Sequence, residues 1–367
     1  MRKLISFASI TLLSLFPGDA LYAESALEQL IEQTGIEAGA VAVRDRSGWR
    51  TPRKIIVRDL GGLSEGIGST ATGIDWVFVQ SEAEALRHAA DADAIIGFCS
   101  EALLAAAPAL MWIQIYSAGA EDCVTAERIH NGDVLLTNMQ KMSSPVIAEH
   151  VTAMMLSLAR GLGPFSKAMP SGKWQRHADY TAGMQSIGGK TVLVVGLGGI
   201  GTEVARRAAA LGMRVVGTRR SSREGPDFVA YVGLADELLE LAANADFIVN
   251  ALPLTADTSG LMDSKFFAAT RRGAHFINVG RGKTVVTGDL VAALRDGQLA
   301  GAGLDVTDPE PLPPDHPLWQ MQNVIITPHV SSRGSNRVRH TILVKENLRR
   351  FLAGDALLNI VDPKRGY

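Results

Sequence analysis

The chain has few cysteines, almost no net charge and no long apolar run, and each shortage removes a class of function. Its 367 residues include 2 cysteines, Cys99 and Cys123. Two thiols make neither a zinc-ligand spacing nor a disulfide framework, although a single bridge between them stays open. Lys and Arg total 36 against 38 for Asp and Glu, a net charge of −2. That balance offers no surface for nucleic acid. There is no internal repeat and no low-complexity tract. The uncharged run at residues 4–16, LISFASITLLSLF, is too short for a comfortable membrane span, so no stable membrane insertion is expected. It follows Arg2 and Lys3 and precedes Pro17-Gly18-Asp19-Ala20-Leu21-Tyr22-Ala23. A basic start, a short apolar stretch and small residues near a cleavage point form a secretory-signal pattern. Residues 1–23 are therefore expected to direct export to a periplasm-like compartment.

At about 150 residues per domain, the length suggests two domains. Residues 25–53 read as a polar lead-in with no clear period after Leu30. Strands are expected at 55–57, 76–79, 94–98, 111–116 and 134–137. Ser81-Glu82-Ala83-Glu84 is a capping-box pattern that opens a helix among them. Strands alternating with helices argue for a parallel α/β sheet. This first unit lacks any glycine fingerprint. Residues 147–162 form a long apolar helical pattern, between domains or in a buried interface. Residues 163–189 read as irregular, with Pro164, Pro170, Gly172 and Trp174, and are long for a connection. An arm that packs on a partner subunit is one reading for them, and a long surface loop the other. A second series places strands at 191–195, 214–217, 247–250, 275–279, 303–306 and 324–327. Six strands alternating with helices describe a doubly wound nucleotide-binding domain. The helical tail at 333–352 is expected to return over the first unit. The substrate domain would then be 24–145 with 333–367, and the nucleotide domain 146–332.

Chemistry concentrates at the carboxyl ends of the second series. Gly196-Leu197-Gly198-Gly199-Ile200-Gly201 lies between a buried-strand pattern and a helix pattern, the context a dinucleotide loop requires. Gly196 permits the tight turn, Gly198 lets backbone approach a pyrophosphate, and Gly201 permits close helix packing. An NAD site would place an acid about 20 residues further on, for the ribose hydroxyls. Here the strand ends at Thr218 and continues Arg219-Arg220-Ser221-Ser222-Arg223, with no acid before Glu224. Arginine pairs with a 2′-phosphate that a carboxylate would repel, so NADP is favoured over NAD. Leu252, Pro253, Val279 and Gly280, at neighbouring strand ends, are further candidate cofactor contacts.

Arg281, in Asn278-Val279-Gly280-Arg281-Gly282, can grip a carboxylate and polarise a keto oxygen. His329 follows an apolar strand and Pro328, and Glu310 lies in a proline-rich turn. A carboxylate beside an imidazole keeps its protonated form favourable, so His329 can supply a proton. Asp305 is placed near the nicotinamide ring or this histidine. Glu149 and His150, on the long helix, read as structural.

Together these residues resemble the D-isomer-specific 2-hydroxyacid dehydrogenase family over nearly the whole chain after about residue 50. The match is densest over 196–201, 278–282 and 304–329, where LDVxxxEPLPxxxPLWxxxNVxxTPH stands out. The look is that of the glyoxylate/hydroxypyruvate reductase type, without the long C-terminal regulatory domain of some phosphoglycerate dehydrogenases. The resemblance implies two doubly wound parallel-sheet α/β domains, a Rossmann nucleotide-binding domain inserted in a flavodoxin-like substrate domain. It implies reduction of a small 2-keto acid to a D-2-hydroxy acid, with a catalytic trio of Arg281, Glu310 and His329. It places the substrate carboxylate on backbone N–H groups of Ser117, Ala118 and Gly119, needs no metal, and implies a homodimer. The family is ordinarily cytosolic and an exported enzyme would meet little NADPH, so resemblance and leading segment point to different compartments. A second reading on the same fold is a nucleotide-sensing protein like the corepressors that resemble this family.

Overall fold

The computed structural model describes residues 17–61, 64, 66–68, 70–174, 183–335 and 337–364. The first sheet contains β1 (Lys54–Arg58), β2 (Asp75–Val79), β3 (Ala94–Ile96), β4 (Trp112–Gln114) and β5 (Leu135–Thr137). Its order is β2-β1-β3-β4-β5, and every pair is parallel. Because both faces are covered, the strands are apolar on both sides. Ile56, Ile95 and Ile113 face one helical layer, whereas Ile55, Val57 and Trp112 face the other. That second layer includes Leu343, Val344, Leu348 and Phe351 of the C-terminal helix Arg337–Ala353.

The second sheet contains β6 (Thr191–Val195), β7 (Arg214–Thr218), β8 (Tyr231–Gly233), β9 (Phe247–Asn250), β10 (Ala274–Asn278), β11 (Leu299–Leu304) and β12 (Val324–Ile326). Its order is β12-β11-β10-β9-β6-β7-β8, again all parallel. The order reverses at β6, so the crevice between β6 and β9 is where this fold takes a ligand. The molecule is thus two doubly wound α/β domains. The helix Ser144–Arg160 buries Val151, Met154 and Met155 against the second sheet. Gly301 and Gly303 of β11 admit it: a Cβ on Gly303 would lie 2.9 Å from Met154 Sδ.

Several elements differ from the sequence expectations. A seventh strand, β8, joins the second sheet at its edge; three residues carry too little alternation to be seen. Strand β11 begins at Leu299 rather than 303, since its Ala-Gly stretch has low strand propensity and is strand only by packing. Residues 17–34 form a helix, Pro17–Thr34, which runs past Leu30 into the lead-in where no clear period is read. Leu27, Leu30 and Ile31 stand on one face of it and pack into the core of the first domain. Of the expected leader 1–23, residues 1–16 lie outside the described residues, and the helix continues past Ala23. The expected arm starts as the helix Leu162–Ala168 and a 3-10 turn, Met169–Ser171, not as irregular chain. Gly161, in the left-handed region at φ 62°, ends the long helix and redirects the next one. Residues 175–182 of that segment lie outside the described residues. Cys99 and Cys123 are paired, with Cα atoms 5.9 Å apart, joining the loop after β3 to the helix Glu121–Val124. Among the described residues no helix is long and apolar enough to cross a membrane.

Candidate active site

The glycine loop joins β6 to the helix Gly199–Ala210. Gly196 has φ 94°, which only glycine adopts without strain. A Cβ on Gly201 would collide with the Gly196 carbonyl. One on Gly199 would lie 2.9 Å from Lys141 Cγ and Ser144 Oγ of the neighbouring segment. Gly198, by contrast, has nothing within 4 Å of a Cβ position. The N–H groups of the first helical turn, which includes Ile200, have no partner within the helix and suit a pyrophosphate. Thr218 is buried and shapes this loop: its hydroxyl accepts from Gly196 N–H at 3.1 Å.

Beyond β7 the three arginines separate into different roles. Arg223 is committed to Glu237 at 2.6 Å and Tyr231 Oη at 2.8 Å. Arg220 lies 3.6 Å from Asp257, both largely exposed. Arg219 has a buried Nε with no hydrogen-bond partner among the described residues. Ser221 is exposed beside it.

Buried amides tie the loops after β9 and β10 together. Asn250 donates to Asn278 Oδ1 at 3.0 Å and to Thr284 Oγ1 at 2.7 Å. The Leu252 N–H donates to Asn250 and the Gly280 N–H to Asn278. Leu252, followed by Pro253, abuts both Gly196 and Gly280, whose missing side chains allow that approach. Buried Val279 anchors the same turn by donating to the Asn250 carbonyl at 3.1 Å. Thr284 Oγ1 donates to the Arg281 carbonyl at 2.6 Å, so the backbone of Arg281 is held by the network.

The Arg281 side chain crosses to the other domain. Its Nε donates to Glu121 Oε1 at 2.8 Å, and Nη1 donates to the Gly280 carbonyl at 2.9 Å. Nη2 lies where a Cβ on Gly119 would stand, directly against the 117–119 loop. The carbonyls of Ala118 and Gly119 accept from Asn138 Nδ2 and Ser117 Oγ. Their N–H groups donate to nothing among the described residues. Glu121 is missed by sequence reasoning. It opens a short helix, and its partner is 160 residues away, so no local pattern points to it.

On the far side, His329 Nδ1 is 2.7 Å from Glu310 Oε1, both about half exposed. His329 sits in the left-handed region at φ 52°, and its N–H donates to the Asp305 carbonyl oxygen at 2.8 Å. The buried Asp305 carboxylate organises this loop. Its Oδ1 accepts from Thr327 Oγ1 at 2.6 Å, Val330 N at 2.9 Å and Ser331 N at 3.2 Å. Its Oδ2 accepts from Ser331 N at 3.1 Å. Burial alone would raise its pKa, but the bonds from Ser331, Thr327 and Val330 outweigh it and hold the carboxyl below its ordinary value. His150 Nε2 supports the cluster from the long helix, 3.0 Å from Thr327 Oγ1.

An imidazole–carboxylate pair, an arginine reaching to the first domain and a dinucleotide loop therefore all follow the carboxyl ends of strands of the second sheet. Comparison with known proteins finds relatives in sequence and in fold. The profile described as "D-isomer specific 2-hydroxyacid dehydrogenase, NAD binding domain" matches residues 152–331. Glyoxylate reductase of Korarchaeum cryptofilum is 33% identical over 287 residues, 76% of this chain and 85% of that one. This chain belongs to the D-isomer specific 2-hydroxyacid dehydrogenase family. The glyoxylate reductase/hydroxypyruvate reductase of Mus musculus is 39% identical over 216 residues, 57% of this chain and 64% of its own length. Among solved structures, a family member from Xanthobacter autotrophicus in complex with NADPH and MES has a TM-score of 0.74 at 29% identity. The alignment spans 87% of this chain and 100% of that one. An NADPH-dependent glyoxylate/hydroxypyruvate reductase from Sinorhizobium meliloti, in complex with NADP and sulfate, has a TM-score of 0.73 at 29% identity. It covers 86% and 100% of the two chains. As a D-2-hydroxyacid dehydrogenase, this chain is an NAD(P)-dependent oxidoreductase acting on small 2-keto acids.

Proposed function

We propose that the chain reduces a glyoxylate- or hydroxypyruvate-like 2-keto acid to its D-2-hydroxy acid, with NADPH preferred over NADH. The observation that carries this reading is the 2.7 Å pairing of His329 Nδ1 with Glu310. With Nδ1 engaged in this way, Nε2 is left for a substrate oxygen. When bound, the nicotinamide supplies the hydride to the keto carbon. His329 delivers the proton to the keto oxygen, and Glu310 stabilises the imidazolium before transfer. Arg281 Nη2 and the Ala118 and Gly119 N–H groups hold the carboxylate and orient the carbonyl. Asp305 keeps the His329 loop in place. The test is NADPH oxidation with a panel of keto acids by wild type and His329→Ala. A corepressor-like protein would bind the nucleotide and consume none.

The NADP preference is supported by the orphaned Arg219 Nε at the end of β7, where a 2′-phosphate would supply the missing acceptor. A homodimer is supported by the segment after Gly161. Leu162, Met169 and Trp174 are 54%, 76% and 95% exposed there, an apolar row that suits a partner subunit. Export of the chain rests on the leader pattern. N-terminal sequencing of protein recovered from its native cell should find a start near Glu24, and recovery of only full-length cytosolic protein would count against it.

A further inference from the structure

The flavodoxin-like order β2-β1-β3-β4-β5 reverses between β1 and β3, so a ligand of the first domain meets the carboxyl ends of those two strands. Arg58 is the last residue of β1. It is half-buried, and among the described residues its Nε has no hydrogen-bond partner and no carboxylate lies within ion-pair distance. The adjacent acid is unavailable: Asp59 accepts from Ser64 at 2.6 Å, Gly61 N at 3.0 Å and Gln80 at 3.1 Å. The Arg58 guanidinium instead lies over the Phe98 ring, 5.0 Å from its centroid. Gly97 makes room for this. At φ 99°, it would place a Cβ 2.6 Å from both Arg58 Cβ and Tyr116 Cε2. Tyr116 leads directly into the Ser117–Ala118–Gly119 loop at the end of β4. The ends of β1 and β4 are two strand spacings apart, about 10 Å. A substrate carboxylate on the 117–119 loop would therefore leave the far end of a short carbon chain within reach of a side chain from β1. A partly desolvated cation whose neighbouring carboxylate, Asp59, is bound to other donors favours an anion at that place.

We infer that Arg58, stacked on Phe98, forms a distal subsite for a second anionic group. Preferred substrates are then 2-keto acids whose other end carries a carboxylate or a phosphate. This rests on the reductase reading above and names the substrate class it leaves open.

The experiment follows NADPH oxidation by the full chain with two matched pairs: oxaloacetate against 2-oxobutyrate, and phosphohydroxypyruvate against hydroxypyruvate. The charged member of at least one pair should have kcat/KM about ten- to a hundredfold higher, the worth of one charge-assisted hydrogen bond. Which pair shows the preference tells carboxylate from phosphate. Arg58→Gln should bring that ratio to within about threefold, and Arg58→Lys should restore part of it. A wild type indifferent to the second charge overturns the inference, whether or not the variants fold; so does an R58Q enzyme that keeps the preference. Failure of the reductase reading looks different, because no member of either pair would then consume NADPH. In that event calorimetric titration with oxaloacetate decides. Binding weakened about tenfold or more by R58Q upholds the subsite, and equal binding refutes it.

Discussion

Replacing Asp305 tests whether the histidine loop is held by one buried carboxylate. The side chain is 2% exposed by residue and accepts from three donors, Thr327 Oγ1, Val330 N and Ser331 N. Asp305→Ala leaves all three without their acceptor. A stranded buried donor costs about 1–3 kcal/mol; Thr327 Oγ1 keeps His150 Nε2 at 3.0 Å as a partner, and the Val330 and Ser331 N–H groups share one loop, so the losses do not add in full. A destabilisation of about 3–5 kcal/mol follows, reduced toward the lower figure if water enters the relaxed loop. Catalysis should fall as well. The non-glycine φ of 52° at His329 persists only because the surrounding bonds impose it. Release of residues 327–331 would let the ring swing from Glu310, and turnover should drop at least about tenfold. Asp305→Asn should be milder, since an amide oxygen can still accept while its NH2 opposes one N–H. The pH dependence has a definite sign. The folded carboxyl titrates below its ordinary value of 3.8, so its stabilisation is complete above that value. It is lost as pH falls through the depressed folded value, and the Asn variant should lack that acid-side loss. Urea denaturation followed by circular dichroism, with steady-state kinetics, makes both measurements. An Asp305→Ala protein within about 0.5 kcal/mol of wild type and with unchanged turnover would refute the account.

His329→Ala should lower turnover roughly a hundred- to ten-thousandfold with little change in NADPH affinity, and a loss of only a few-fold would remove it from proton transfer. Glu121→Ala should reduce kcat/KM for every keto acid about tenfold or more, because Arg281 loses its cross-domain partner, while Glu121→Gln, which still accepts from Nε, should recover most of it; two equally impaired variants would mean that the charge, not the hydrogen bond, is what Arg281 needs. Arg219→Asp should reverse the preference for NADPH over NADH, a discrimination worth about ten- to a hundredfold per lost phosphate bond, and should leave the ranking of keto acids unaltered. Equal use of both cofactors by wild type would show that Arg219 does not meet the phosphate.

Much of this protein is written in local pattern. Strands buried on both faces must be continuous apolar runs, which is why β6, β9 and β1 stand where their Val and Ile residues cluster. The glycines at 196 and 201 announce a turn that no other residue can make, because a positive φ and a carbonyl in van der Waals contact exclude a Cβ. The run from Leu304 to His329 is likewise specific enough to assign to a family before any coordinates. Contacts between distant segments were not legible. Glu121 meets Arg281 across the cleft, and Arg58 meets Phe98 at the ends of neighbouring strands, because parallel strands bring together ends that lie tens of residues apart. Three arginines after β7 look equivalent in sequence; packing commits Arg223 to Glu237 and leaves Arg219 Nε without a partner among the described residues. Composition and spacing specify which local structures form, since those depend on near neighbours. Which charges remain unpaired, and so which are free to bind a ligand, depends on the whole set of contacts and is decided only by the tertiary structure.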